Sequence, residues 1–423
     1  MAILALGISH RRASVELLER LAFADEDLVK AYRRIAEDPA IDEAVVLSTC
    51  NRVEVYASVP AYHAGFQALK RLLAEPREVP LEQLAEPMYS HYEEDAVLHL
   101  FEVASGLDSM VVGEPQILSQ VRDAFRIAEA EGGAGHVLTG LFHGAARAGR
   151  RVRTETGVGS APDAFVAAGA DLAAETLGGL EGRTALVVGA GQMAALAAKH
   201  LHARGVGTLR IFNRSLERAR ALAERAEAEH GDLDALPGAL AGADLVISAT
   251  GASGIVIHAD MLRAALAGRE RPLFVLDLAV PRDVEPSAAE VPHVRLVDIE
   301  GLRESFTSRA DGAAEDIAAA RELIEREVHR FAVRQRSERL APLIHALRER
   351  GDAIIAAELD RARSELASLT PDEREAVETV ARGIAAKLLH DPIVRLKELS
   401  APGTEDAHAK LFAQLYGLET PPT

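Results

Sequence analysis

Apolar residues recur along this chain at two different periods, and the change from one to the other divides it. "MAILALGIS" at the start reads as a strand, followed by helical patterns in "SVELLERLAF" and "EDLVKAYRRIAE". The apolar run Ala44-Val45-Val46-Leu47 and the alternating run Val53-Glu54-Val55-Tyr56 predict a pair of strands on either side of residues 48–52. Apolar residues then return at spacings of three and four in "HAGFQALKRLLAE", "EEDAVLHLFEVASGL", "PQILSQVRDAFRIAEAE" and "VLTGLFHGAARAGRRVRTET", which predicts helices and, with the strands, a compact α/β module. "TGVGSAP", residues 156–162, marks the first boundary.

Beyond it a helix precedes "RTALVVGAGQMAALAAKHLHARGVGTLRIFNRS", which reads as strand, glycine turn, helix, strand. "ADLVISAT" and "PLFVLDLA" continue the alternation, so a doubly wound parallel sheet is expected. From about Gly301 the strands stop, and the rest is Ala-, Arg- and Glu-rich helix with Ile317, Ile324, Val328 and Phe331 on one stripe. The expected architecture is an N-terminal α/β domain over 1–157, a Rossmann-like doubly wound α/β domain over 158–302, and an all-helical C-terminal domain over 303–423. So regular a helical tail suits pairing with its own copy rather than folding back on its own chain.

Composition narrows the setting. With 48% hydrophobic and 26% charged residues the chain is an ordinary globular protein, and its single cysteine allows neither an internal disulfide nor a thiol-based zinc cage, which points to a reducing cytoplasm. No apolar stretch approaches the roughly 18 residues of a spanning helix, and the N-terminal run is too short and wrongly flanked for a signal peptide, so no membrane role is expected. A formal charge of −18 argues against bulk nucleic-acid binding but leaves room for a local basic patch. No metal-ligand cluster stands out.

"VVGAGQMA" sets Gly189, Gly191 and Ala194 at G-x-G-x-x-A spacing between a strand and a helix, with Ala190, Gln192 and Met193 in the turn. Such a turn brings backbone N–H groups and a helix N-terminus to a pyrophosphate. Where an NAD enzyme places a carboxylate for the ribose hydroxyls, this chain has Asn213-Arg214-Ser215, with Arg218 one turn later. A guanidinium and short polar groups accept a 2′-phosphate that a carboxylate would repel, so NADPH is expected over NADH.

The lone thiol, Cys50, sits between Thr49 and Asn51, with Arg52 two residues on, instead of inside an apolar run. Arg52 is placed to lower its pKa and raise the thiolate fraction. Extended backbone would turn Cys50 and Arg52 to the same side, whereas a hairpin turn would put the thiol at a loop tip; spacing alone leaves both open.

"TCNRVEVY", "HLFEVASGLDSMVVGEPQILSQVRDAF", "VVGAGQMA", "FNRS", "LDLAVPRDVEP" and "KLLHDPIVRLKEL", in this order, closely resemble the glutamyl-tRNA reductase family over nearly the whole chain. That resemblance implies that Cys50 attacks the ester carbonyl of glutamate charged on tRNA(Glu), leaving an enzyme thioester. NADPH then reduces the thioester to glutamate-1-semialdehyde, the first step of tetrapyrrole synthesis by the C5 route. It implies glutamate contacts from Thr49, Asn51, Arg52, Ser109, Glu114, Pro115, Gln116 and Gln120, and a catalytic part for His99, one of 15 histidines. A guanidinium suits a carboxylate and Glu114 an ammonium group, although the individual pairings are not readable. Residue by residue, Glu114 and Gln116 also suit an ordinary helix N-terminus.

Two departures stand out: Ala194 where the family commonly has glycine, and "GSAPDAFVAAGA" in place of a hydroxyl-rich run at the domain junction. The family further implies a V-shaped homodimer joined through the C-terminal helices and a partnership with glutamate-1-semialdehyde aminomutase. For tRNA, two basic strips qualify: Arg147, Arg150 and Arg151 with Arg153 near them, and Arg326, Arg330 and Arg334 at i+4 steps. The competing readings are an NADP-dependent dehydrogenase of a free small metabolite with Cys50 a spectator, and a non-catalytic dinucleotide-sensing or tRNA-binding protein. Neither accounts for "STCNR" and "GLDSMVVGEPQ" in one chain.

Overall fold

The computed structural model describes residues 2–49, 51–109, 111–252, 254–302, 313–399 and 405–418. They form two compact units, one from Ala2 to Glu325 and the other from Arg326 onward.

The first unit opens with a four-stranded antiparallel sheet in the order β2-β3-β1-β4, where β1 is Ala2–Ser9, β2 Glu43–Ser48, β3 Arg52–Val59 and β4 Tyr89–Tyr92. Every residue of β1 and β3 is buried, so both faces of the sheet are covered. The described residues of this part also form the α-helices α1 (Val15–Leu21), α2 (Asp25–Glu37), α3 (Tyr62–Ala74), α4 (Glu94–Ser105), α5 (Pro115–Ala130) and α6 (His136–Glu155). Ser14 caps α1 by accepting from the Leu17 amide, and α5 opens on a proline, which loses no helical bond at that position. Strand β4 has no counterpart in the sequence reading. Its Tyr-Ser-His-Tyr lacks apolar alternation because it pairs only with β1 at the sheet edge.

A turn at 157–160 leads into α7 (Ala161–Leu177) and a six-stranded, all-parallel sheet in the order β10-β9-β8-β5-β6-β7. These strands are β5 (Thr184–Val188), β6 (Thr208–Phe212), β7 (Glu229–Gly231), β8 (Leu245–Ser248), β9 (Leu273–Asp277) and β10 (Val294–Asp298). Successive side chains point to opposite faces, so Ala185 and Val187 join one core with α7, α8 (Gln192–Ala203) and α9 (Leu216–Ala226). Leu186 and Val188 join another with α10 (Leu236–Leu240) and α11 (Ala259–Ala265). Burial on both faces explains why these strands read as continuous apolar runs. Strand order reverses between β5 and β8, and ligands of such sheets bind beyond the strand ends at this point.

After residue 312 the described elements are all helices, from α12 (Ala313–Arg361) through α13 (Arg363–Leu366) and α14 (Pro371–Leu399) to α15 (Glu405–Leu415). Ile324, Val328 and Phe331 of the anticipated stripe are buried and Ile317 half-buried. In the second unit, Leu340, Leu343 and Leu347 of α12 pack with Ile393 and Leu396 of α14 and Ala413 of α15. Val377, Val380, Ile384 and Leu388 of α14 instead form an exposed apolar stripe, with Leu388 70% exposed. Among the described residues no helix is long and apolar enough to cross a membrane.

Candidate active site

Strands β2 and β3 join through a tight turn. The Thr49 amide donates to the Arg52 carbonyl at 2.8 Å, and Thr49 Oγ1 accepts from the amides of Asn51 and Arg52, each at 3.2 Å. Of the two backbones the sequence left open, the hairpin is the one adopted by the flanking residues; Cys50 itself lies outside the described residues. Asn51 is buried at this turn, and its Oδ1 has no hydrogen-bond partner among the described residues. A buried acceptor left open costs roughly 1–3 kcal/mol, so a donor brought by a ligand is favoured there.

Behind the hairpin, Arg52, Glu54 and Tyr56 alternate along β3 and so share one face. Glu54 is fully buried and accepts from Arg52 Nη1 at 2.8 Å, Tyr56 Oη at 2.5 Å and Tyr89 Oη, with His99 Nε2 3.0 Å away. The sheet register makes this possible. Glu54 lies opposite Gly7 on β1, and Gly7 opposite Tyr89 on β4, so the carboxylate reaches across a residue without a side chain. A Cβ at Gly7 would stand 2.7 Å from Glu54 Cγ. Arg52 Nη1 also meets Asp108 Oδ2 at 3.0 Å and its Nη2 donates to the Asp108 carbonyl at 2.7 Å. Burial alone would raise the Glu54 carboxyl, but the charge of Arg52, with His99 and the Tyr56 hydroxyl, holds it well below the usual carboxylate range. His99, on α4, stacks on His91 with ring centroids 4.4 Å apart.

The described residues of the "GLDSMVVGEP" segment form a compact loop from the end of α4 to the start of α5, closed by the Gly113 amide donating to the Gly106 carbonyl at 2.9 Å. Ser109 is buried within it. Glu114 stands at the N-cap of α5, its carboxyl pushed up by burial against the opposing charges of Arg52 and Arg153. Pro115 opens α5, with Gln116 exposed and Gln120 half-buried on its first turns. Arg153 does not join the surface arginines with which its sequence position grouped it. It is half-buried and donates from Nη2 to the Glu114 carbonyl at 2.6 Å, because α6 ends beside the start of α5.

At the switch point, Gly189 has φ of 116° and a Cβ there would lie 2.3 Å from the Ala249 carbonyl oxygen, so only glycine fits. Gly191 caps α8, and a Cβ there would meet nothing within 4 Å. Ala190 follows half-buried, and Ala194 is fully buried against the sheet. This open cradle at a helix N-terminus fits a dinucleotide pyrophosphate. After β6, Asn213 Nδ2 donates to the Ser215 carbonyl at 3.0 Å, Ser215 Oγ caps α9, and Arg214 and Arg218 are exposed.

One cleft of about 480 Å³ brings these parts together. Thr49, Asn51, Glu114, Gln116 and Gln120 line it from one side, and Gly191, Gln192 and Met193 from the other. Arg52, His99 and Ser109 lie outside its wall, as do Gly189, Asn213, Arg214 and Ser215. Sequence reasoning missed further parts of the lining, among them Phe23, Ser48, Ala249–Ala252 and Leu278–Pro281. Two buried carboxylates hold the last two segments. Asp283 accepts from Ser248 Oγ at 2.7 Å and the Thr250 amide at 2.8 Å, and Asp277 accepts from the Ala279 and Val284 amides at 3.0 Å. Burial pushes the Asp277 carboxyl up to about 6.

Comparison with known proteins decides the family. The model of the glutamyl-tRNAGlu reductase N-terminal domain matches residues 6–156, that of shikimate / quinate 5-dehydrogenase residues 171–305, and that of the glutamyl-tRNAGlu reductase dimerisation domain residues 319–418. The solved glutamyl-tRNA reductase from Methanopyrus kandleri is 33% identical over 98% of this chain and 99% of its own, with a TM-score of 0.50. The chain belongs to the glutamyl-tRNA reductase family. The nucleotide-binding domain of the Thermoplasma volcanium reductase matches 35% of this chain and 97% of its own at 18% identity and a TM-score of 0.26. A Thermus thermophilus shikimate 5-dehydrogenase in complex with NADP(H) and shikimate matches 40% of this chain and 62% of its own at 21% identity and a TM-score of 0.26. Both likenesses are too distant to carry weight beside the family match.

As a member of the glutamyl-tRNA reductase family the chain is an oxidoreductase using a nicotinamide cofactor, and its dimerisation domain makes it a homodimer. The exposed stripe on α14 falls within that domain. In this family setting the open cradle yields a first expected result. Gly191→Ala should leave the melting temperature unchanged, since its methyl meets no protein atom, yet weaken dinucleotide binding by about tenfold by occupying pyrophosphate space. Fluorescence titration beside a thermal melt reads both.

Proposed function

We propose that the protein reduces glutamyl-tRNA to glutamate-1-semialdehyde with NADPH through a thioester on Cys50, opening tetrapyrrole synthesis by the C5 route in the cytoplasm. Support comes above all from one observation: the residues flanking Cys50, the start of α5 and the dinucleotide turn line the same cleft. In this reading 1–157 acts on the glutamyl group, 158–302 holds the cofactor and 303–423 dimerises.

The Cys50 thiolate attacks the ester carbonyl carbon, the bond to the terminal ribose oxygen breaks, and the freed hydroxyl takes a proton as tRNA leaves. When bound, the nicotinamide supplies a hydride to the carbonyl carbon of the thioester. Cleavage of the C–S bond then returns the thiolate and releases the aldehyde. Asn51 Oδ1 and the Glu114 carboxylate receive the substrate ammonium, whose charge offsets the burial that otherwise favours protonated Glu114. Thr49, Gln116 and Gln120 line the glutamyl pocket, and Ser109 and Pro115 belong to the loop and helix start that carry Glu114 into it. Arg52, engaged by Glu54 and Asp108, fixes the hairpin that carries the thiol and adds positive charge behind it. His99, held through Glu54, serves proton movement near the ester.

Purified protein given glutamyl-tRNA and NADPH should consume one NADPH per aldehyde formed and leave free glutamate untouched. Aldehyde from free glutamate, or none from glutamyl-tRNA, would contradict the reading. NADPH should be preferred over NADH, and Arg214→Ala should weaken NADPH binding by about tenfold while leaving NADH binding unchanged, by loss of one charge-assisted phosphate contact. Parallel titrations with the two cofactors check this.

A further inference from the structure

We infer that the groove between α5 and α6 holds the phosphodiester backbone of the substrate's 3′ end, immediately behind the ester in the cleft. This rests on glutamyl-tRNA being the substrate. The groove encloses about 630 Å³, with the buried Val121, Phe125, Phe142 and Ala146 among its lining. Arg122 and Arg126 border it from α5 and Arg147 and Arg150 from α6, all four exposed. Among its described lining residues the one carboxylate, Asp123, binds Arg126 at 3.0 Å, so guanidiniums outnumber carboxylates four to one along the groove. That excess is local, in a chain whose formal charge is −18.

The topology says where this charge lies relative to the chemistry. Arg153, near the end of α6, reaches the carbonyl of Glu114 at the start of α5, so the two helices run antiparallel from the cleft. Along α5, Gln116 and Gln120 line the cleft, and Ser119, Arg122 and Arg126 line the groove. At 1.5 Å per residue the two arginines lie roughly 9–15 Å along the helix from Gln116. Along α6, moving away from Arg153, Arg150, Arg147 and His143 follow on the groove side at helical spacing. An ester seated in the cleft therefore has α5 as a wall shared with a basic channel, and the phosphates behind the terminal ribose run along it. Such contacts position a nucleic acid without reading its sequence.

The test uses the full-length dimer carrying Arg122→Ala with Arg150→Ala, both at exposed positions. Binding of uncharged tRNA(Glu) is followed by fluorescence anisotropy over a salt series. The double variant should bind more than tenfold more weakly, and the slope of log K against log salt should fall by about two. KM for glutamyl-tRNA should rise in step, with the loss falling on KM rather than kcat, while NADPH affinity and melting temperature hold. Arg122→Lys with Arg150→Lys should keep most of the salt slope. Unchanged tRNA affinity and slope, alongside a wild type that reduces glutamyl-tRNA, would overturn the groove and leave the proposed reaction standing. A wild type that neither binds nor reduces glutamyl-tRNA would remove both. Weaker binding accompanied by a lowered melting temperature and no rescue by lysine would mark the arginines as structural and also overturn the inference.

Discussion

Glu54→Gln should lower stability by about 3–5 kcal/mol, the usual cost of breaking a buried ion pair, and should take catalytic activity with it. The reason is local and countable. One carboxylate meets Arg52, Tyr56, Tyr89 and His99, and glutamine would turn an amide N–H toward groups that are themselves donors. Arg52 would then keep only Asp108 as its counter-charge. The pH dependence carries a signature. The folded Glu54 carboxyl is held below its ordinary value of 4.5, so its contribution is fully present above that value and is lost as pH falls toward the folded pKa. Thermal melts should therefore show a constant gap between wild type and variant from pH 6 to 8, narrowing below about 4.5. A gap that persists unchanged into acid would mean that the carboxylate's charge is not what stabilises the cluster.

Cys50→Ser should lower the rate of aldehyde formation by at least about 10³-fold, because a free thiol carries a few per cent of nucleophilic thiolate at neutral pH whereas an unactivated hydroxyl carries essentially no alkoxide. Binding of NADPH and of tRNA should survive, since the dinucleotide turn and the described lining of the α5–α6 groove come from other segments of the chain. Steady-state rates with both binding titrations separate loss of chemistry from loss of the fold. A variant that retained a tenth of the activity would return Cys50 to the role of spectator.

Much of the architecture was legible because periodicity survives in the sequence wherever one face is buried. The parallel strands are continuous apolar runs since both their faces are covered, and α5 and α6 show helical spacing since each has one wet face. Strand β4 was not legible: an edge strand of tyrosine, serine and histidine carries no apolar alternation. The buried cluster around Glu54 escaped for a related reason. Polar residues at 52, 54 and 56 look like the solvent face of a strand until tertiary structure covers them. Its readable trace was complementary chemistry at period two, together with a glycine in the opposite strand. Arg153 was grouped with the surface arginines by helical angle alone, and angle does not reveal that the end of its helix abuts Glu114. The cleft residues Ala249–Ala252 and Leu278–Pro281 follow strand ends, where spacing carries no period and only the sheet order brings them to the site.

The measurement that tests the central claim most directly is a single-turnover experiment with glutamyl-tRNA labelled in its glutamate, quenched in acid with and without NADPH, on wild type and Cys50→Ser. The account predicts label on the wild-type protein that NADPH chases into aldehyde, and none on the variant. Unlabelled wild-type protein together with a variant that still forms aldehyde would contradict it.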